Sequence, residues 1–104
     1  MTSTTKDTAE RVIRVLRGHE RELREAGIAS LSLFGSVARG EAGMASDVDL
    51  AAVIDPASSM DLFRLEALQR RIGQLLGRAA DLLPEPVEKR RLQARIDQDR
   101  LRVF

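Results

Sequence analysis

The stretch LFGSVARGEAGMASDVDL, Leu33 to Leu50, contains two carboxylates one residue apart, Asp47 and Asp49, and they open the apolar run DLAAVID. Alternate side chains of a strand share a face, which sets the two acids about 7 Å apart on one side. Like charges that close repel, and one takes up a proton unless a cation separates them. Paired hard oxygen donors suit Mg2+, which accepts one or two protein carboxylates and fills its remaining shell with water and phosphate. A third acid, Asp81, is the lone charge in AADLL. On a buried strand it would be costly without a partner. If that strand lies beside the Asp-x-Asp strand, Asp81 joins Asp47 and Asp49 on one face. Three such acids can hold two divalent ions for in-line phosphoryl chemistry.

The residues just upstream supply the complement. Gly35 and Ser36 follow an apolar segment. A glycine there lets backbone approach a ligand, and free N–H groups of the next turn favour phosphate. Ser36 can donate a hydroxyl hydrogen bond, and Arg39, about one helical turn on, can reach a phosphate oxygen. Gly35, Ser36 and Arg39 are thus candidate nucleotide-binding residues, and Asp47, Asp49 and Asp81 candidate catalytic and metal-binding residues. Each acid alone has a plainer reading. Asp47 could be a turn acid or a partner of Arg39, Asp49 a solvated strand end, Asp81 a partner of Arg78 or an edge-strand residue. The combination with Gly35 and Ser36 favours a site.

Rival motifs fit less well. The haloacid-dehalogenase type of Asp-x-Asp has its apolar strand before the first acid, whereas here it comes after. A calcium loop counted from Asp47 needs glycine sixth and glutamate twelfth, but those places hold Ala52 and Ser58. No phosphate-binding G-x-x-x-x-G-K-[ST] loop occurs.

The elements that must position these residues can be read from periodicity. With 104 residues the chain suffices for one domain and one modest core. Residues 1–7 are expected to be disordered and 8–104 to form the domain. Asp7 and Glu10 fit a capping box, and Ala9, Val12, Ile13, Leu16, Leu23 and Ala26 recur at helical spacing, so a helix is predicted over about residues 8–26, with Gly27 as its stop. His19 lies on that stripe with no ligand partner in view and reads as half-buried packing. IASLSLF is a strand, SVARGEAG a turn with one helical turn, and DVDLAAVID a second strand stopped by Pro56. Ser58 or Ser59 caps a helix carrying Leu62, Leu65, Leu68, Ile72 and Leu75, which Gly77 closes. AADLL is a short third strand broken by Pro84. Pro86 suits the first turn of a last helix with Val87, Leu92 and Ile96 inward, and LRVF can return as an extended segment. The order implies an α/β (α+β) domain, a small mixed sheet of three to four strands with flanking helices.

The totals exclude some classes. A formal net charge of +1 gives no sign of nucleic-acid or membrane binding, and the absence of cysteine excludes disulfides and thiolate metal sites. No apolar run approaches the ~20 residues of a membrane span, and MTSTTKD lacks a signal-peptide core, so a cytoplasmic location is expected. Charge is uneven, however. Glu41 to Asp61 contains five acids and no base. The flanking arginines and lysine, Lys89, Arg90, Arg91 and Arg95 among them, read as solvated helix faces.

Apolar-Gly-Ser, a ten-residue spacer and Asp-x-Asp-apolar, written here FGSVARGEAGMASDVDL, resembles the signature of the polymerase-beta-like nucleotidyltransferases, and specifically the short stand-alone minimal nucleotidyltransferases. AADLL is similar to that family's third-carboxylate strand. The resemblance implies that Gly35 and Ser36 hold a nucleoside triphosphate, that Asp47 and Asp49 bind Mg2+, two ions in all, and that Asp81 completes the metal site and helps activate the attacking hydroxyl. It implies transfer of a nucleoside monophosphate, AMP from ATP, with release of pyrophosphate. Members often carry a basic residue where this chain has Val37, and another where it has Gly43. Larger relatives use extra domains to hold base and acceptor; here the acceptor would come from outside, as a protein hydroxyl. The small members are commonly paired with a HEPN-domain ribonuclease toxin and act as its antitoxin, an arrangement compatible with homo- or hetero-oligomers and with no direct contact to nucleic acid or membrane. Two alternatives stay open: an antitoxin that neutralises by binding alone, and a small-molecule nucleotidyltransferase.

Overall fold

The computed structural model describes residues 4–41 and 47–104. Its elements are α1 (Thr4–Arg17), α2 (Glu20–Glu25), β1 (Ile28–Phe34), α3 (Gly35–Ala38), β2 (Val48–Ile54), α4 (Leu62–Leu76), β3 (Ala80–Glu85), α5 (Arg90–Asp99) and β4 (Leu101–Arg102). The strands form one mixed sheet in the order β3-β2-β1-β4. β1 runs antiparallel to both β2 and β4, and β2 runs parallel to β3. Among the described residues no helix is long and apolar enough to cross a membrane.

Strand alternation divides the side chains between two layers. Leu31 and Leu33 of β1, Val48, Leu50 and Ala52 of β2, and Ala80 and Leu82 of β3 face the main core, where α1 contributes Val12 and Leu16 and α4 contributes Leu68, Ile72 and Leu76. The opposite face carries Ser32 and Phe34, Asp49 and Ala51, and Asp81, Leu83 and Glu85. α5 covers part of that face, burying Ile96 against Phe34 and Ala51 while Leu92 and Val87 pack beside Leu83. The Asp49–Asp81 end stays uncovered.

Several boundaries differ from the expected ones. The first helix begins at Thr4, which puts Asp7 inside the helix instead of at its cap; residues 1–3, the start of the expected disordered segment, lie outside the described residues. The helix is also not continuous to residue 26. It stops at Arg17 and restarts at Glu20, because Gly18 is a poor helix former and the His19 N–H turns back to the Leu16 carbonyl at 3.0 Å. The cap of α4 is Asp61, whose carboxylate accepts the Arg64 N–H at 2.8 Å, while Ser58 donates to the Asp55 carbonyl within a turn. Gly77 ends α4 in a left-handed conformation, as expected. β3 is not broken by Pro84 but runs through it to Glu85. The strand is at the sheet edge, where a missing N–H costs no ladder bond. The Leu82 N–H is taken by the side-chain oxygen of Gln69 at 2.9 Å. Pro86 lies in the loop ahead of α5, following a cis bond from Glu85.

A polar network fastens α5 to the sheet. Arg100 donates to both oxygens of Glu85, at 2.9 and 2.6 Å, and to the buried Ser32 hydroxyl at 2.9 Å. Gln93 donates to Glu85 at 2.8 Å and accepts the Val87 N–H at 2.8 Å. The Glu85 side chain is only 8% exposed. Its carboxyl is held below the usual carboxylate range, chiefly by the Arg100 hydrogen bond. That stabilisation is complete above the ordinary carboxylate pKa and is lost as pH falls through Glu85's lowered value. Arg100→Ala would leave the Glu85 charge buried and unpaired, and a loss of about 3 kcal/mol is expected in urea denaturation at neutral pH. Arg21→Ala, which breaks a fully solvated pair with Glu25, should cost under about 0.5 kcal/mol in the same assay.

Candidate active site

β2 and β3 are in register so that Asp49 pairs with Asp81. In a parallel pair those side chains point the same way from strands about 4.8 Å apart. The two carboxylates therefore stand side by side on the face that α5 leaves open. Asp47 precedes β2 and is exposed, at the mouth of the strand. Asp49 is partly buried, and its carboxyl is pushed up, first by burial and then by the charges of Asp81 and Asp47, with Arg39 opposing. Asp81 itself is exposed, contrary to the expectation of a buried lone charge, because β3 is an edge strand.

Gly35 closes the site from the β1 side. Phe34 pairs with Asp49 across the β1–β2 ladder, and the chain then turns at Gly35 with φ of +79°. A Cβ at this position would run into the Asp49 carboxylate oxygen and lie 3.2 Å from the Asp49 Cβ and Cγ. Only glycine allows both the backbone conformation and the approach. The sequence motif thus has a packing reason as well as a chemical one.

Phe34, Gly35, Ser36, Arg39, Asp49 and Asp81 line one cleft of about 420 Å³, together with Gln69, Leu83, Leu92 and Arg95. Five of the six predicted site residues therefore meet in it, and the sixth, Asp47, acts on it through its charge. Arg39 arrives already engaged. Its guanidinium donates to Glu41 at 2.7 Å and to the nearly buried Asp99 at 2.6 Å. Among the described residues no three acidic, imidazole or thiolate side chains form a closed metal cage. The hard-oxygen donors present are the adjacent pair and the acid at its mouth. The expected position 43 lies outside the described residues, and Val37 is fully buried in the main core, facing away from the cleft.

Reading the sequence missed Arg95 and Gln69. Arg95 follows Leu92 by three positions, and that spacing places it beside the inward stripe of α5 at the cleft wall. Gln69 had no local signal, since only the docking of α4 on β3 brings it there.

The model of the nucleotidyltransferase domain matches residues 16–104. The chain belongs to that family. Protein adenylyltransferase MntA of Thermococcus cleftensis is 36% identical over 77 residues, covering 73% of this chain and 76% of the relative. A solved structure assigned as a minimal nucleotidyltransferase superposes at a TM-score of 0.69 and 28% identity, with 93% of each chain covered. A structure of tri-AMPylated Shewanella oneidensis HEPN toxin in complex with MNT antitoxin matches at a TM-score of 0.61 and 16% identity, over 97% of this chain and 72% of that one, a likeness of fold. The nucleotidyltransferase thus has its family's fold, and its cleft carries the glycine-serine corner opposite paired carboxylates.

Two outcomes follow for the nucleotidyltransferase. Gly35→Ala combines a strained φ with a blocked contact, and should lower stability by about 1–3 kcal/mol in denaturant titrations. Asp49 has a folded pKa above its unfolded one, so its ionised form opposes folding; the penalty is absent below the ordinary carboxylate range and complete above the raised value. Asp49→Asn should accordingly raise Tm at neutral pH in metal-free buffer and give no gain in acid, as differential scanning calorimetry will read.

Proposed function

We propose that this nucleotidyltransferase is a Mg2+-dependent protein adenylyltransferase that moves AMP from ATP to a hydroxyl of a HEPN-domain partner and so acts as an antitoxin. The observation that carries this reading is the register pairing of Asp49 with Asp81 in the cleft closed by Gly35 and Ser36. The protein adenylyltransferase of Thermococcus and the AMPylated toxin in the Shewanella complex support the acceptor class.

A pair of carboxylates with a third acid nearby fits Mg2+, an ion seldom held by an all-protein cage. Asp49 is pushed up first by burial and then by the charges of Asp81 and Asp47, and a divalent cation would offset that second contribution. Asp47, Asp49 and Asp81 would hold up to two ions. The chemistry that bound Mg2+ supplies is neutralisation of charge on the triphosphate and the departing pyrophosphate.

The chain's own residues do the rest. Gly35 admits the triphosphate close to backbone, and Ser36 donates its hydroxyl to a phosphate oxygen. Arg39 turns from Glu41 and Asp99 toward the phosphates. The acceptor oxygen attacks the α-phosphorus, the bond to the bridging oxygen of the β-phosphate breaks, and pyrophosphate leaves on the opposite side. Asp81, exposed at the cleft edge, takes the hydroxyl proton.

Incubation with α-labelled ATP, Mg2+ and a HEPN-domain protein as acceptor should label that protein. Asp49→Ala should lower the rate on the order of a thousandfold, and EDTA should abolish labelling. The engagement of Arg39 by two carboxylates favours a second reading, neutralisation by binding alone. A triple Asp47, Asp49 and Asp81 to alanine variant that silences the toxin as well as the wild type would select it.

A further inference from the structure

α5 crosses the open face of the sheet with its two ends over different parts of the site. At its C-terminal end, Asp99 reaches Arg39, on the Gly35–Ser36 side. Toward its N-terminal end, Leu92 lines the cleft with Leu83 of β3, which lies two residues along the same face from Asp81. Leu92 and Arg95 line the cleft and also a second groove of about 240 Å³, whose other walls are Lys89 and Arg91. The groove therefore leads out of the cleft from the Asp81 side.

Lys89, Arg91 and Arg95 are exposed, and among the described residues none has a carboxylate partner. The other arginines near the site are engaged: Arg39 with Glu41 and Asp99, Arg100 with Glu85 and Asp97. Three free cations around one apolar side chain form a surface complementary to an extended acidic segment.

In-line displacement decides which reactant this groove serves. Nucleophile and leaving group lie on opposite sides of the phosphorus under attack. With the pyrophosphate end at Gly35, Ser36 and Arg39, the acceptor enters past Asp81, and on that side lies the α5 groove. We propose that the groove walled by Lys89, Arg91 and Arg95 is the acceptor subsite, and that it binds an acidic peptide segment flanking the modified hydroxyl. This rests on the protein-adenylyltransferase reading above.

The test uses fluorescein-labelled peptides, each with one tyrosine flanked on both sides by glutamates, by serines or by lysines, and the full chain loaded with Mg2+ and a non-hydrolysable ATP analogue. Anisotropy should show the glutamate peptide bound at least about tenfold tighter than the serine one, with an advantage that fades in high salt. The double variant K89E/R91E, with unchanged melting and unchanged affinity for the ATP analogue, should lose that preference and gain one for the lysine peptide. Equal binding of all three peptides by the wild type, or no change of preference in the variant, would overturn the proposal. So would an RNA oligonucleotide that outcompetes the glutamate peptide. Partner labelling that proceeds undiminished in K89E/R91E would end the subsite while leaving the adenylyltransferase intact; absent labelling with charge-selective peptide binding would do the reverse.

Discussion

Two negative charges on neighbouring strands set the terms for this molecule. The parallel register of β2 and β3 puts Asp49 beside Asp81, and Asp47 adds a third charge at the strand mouth. Left to itself that arrangement is unfavourable: burial first, and then the neighbouring charges of Asp81 and Asp47, push the Asp49 carboxyl up. It persists because the other side of the same strands is a continuous apolar layer. Leu50, Ala52 and Leu82 alternate with the acids and are buried under α1 and α4. Slipping either strand by one residue to separate the charges would carry those side chains out to water and the aspartates into the core. The hydrophobic layer thus holds the carboxylates in a pairing they would not choose.

The second layer is less apolar and more specific. Its buried apolar cluster is Phe34, Ala51 and Ile96, with Leu83, Val87 and Leu92 around them. α5 is fixed instead by Arg100, which ties Glu85 at one sheet edge to Ser32 in the central strand. The buried charge pair carries little net stability by itself but defines where the helix lies. That placement leaves the Asp49–Asp81 end open and brings Arg95 to its wall.

Much of this was legible in the residues. The alternation in IASLSLF and DVDLAAVID marks both central strands, and glycine-serine with Asp-x-Asp marks the site, because local pattern and chemistry agree there. Where the reading went astray, tertiary context outweighed local signal. A stripe of apolar residues spans Gly18, yet the helix breaks at that glycine and bends so that Leu23 reaches the core. Pro84 looked like a strand end only because the edge position of β3 could not be known. Asp81 looked buried for the same reason. Arg39 lines the cleft, but its partner Asp99 is distant in sequence and belongs to the helix that folds over the site last in chain order. Gln69 and Arg95 became site residues only through the packing of helices on the sheet.

The β3 edge has one more consequence. Leu82 gives its outward N–H to Gln69, and Pro84, two residues further along the same side, has none to give. An edge in that state gives an incoming strand few donors to pair with. Strand addition is thereby weakened beside the carboxylates, since two successive outward positions cannot donate to a newcomer.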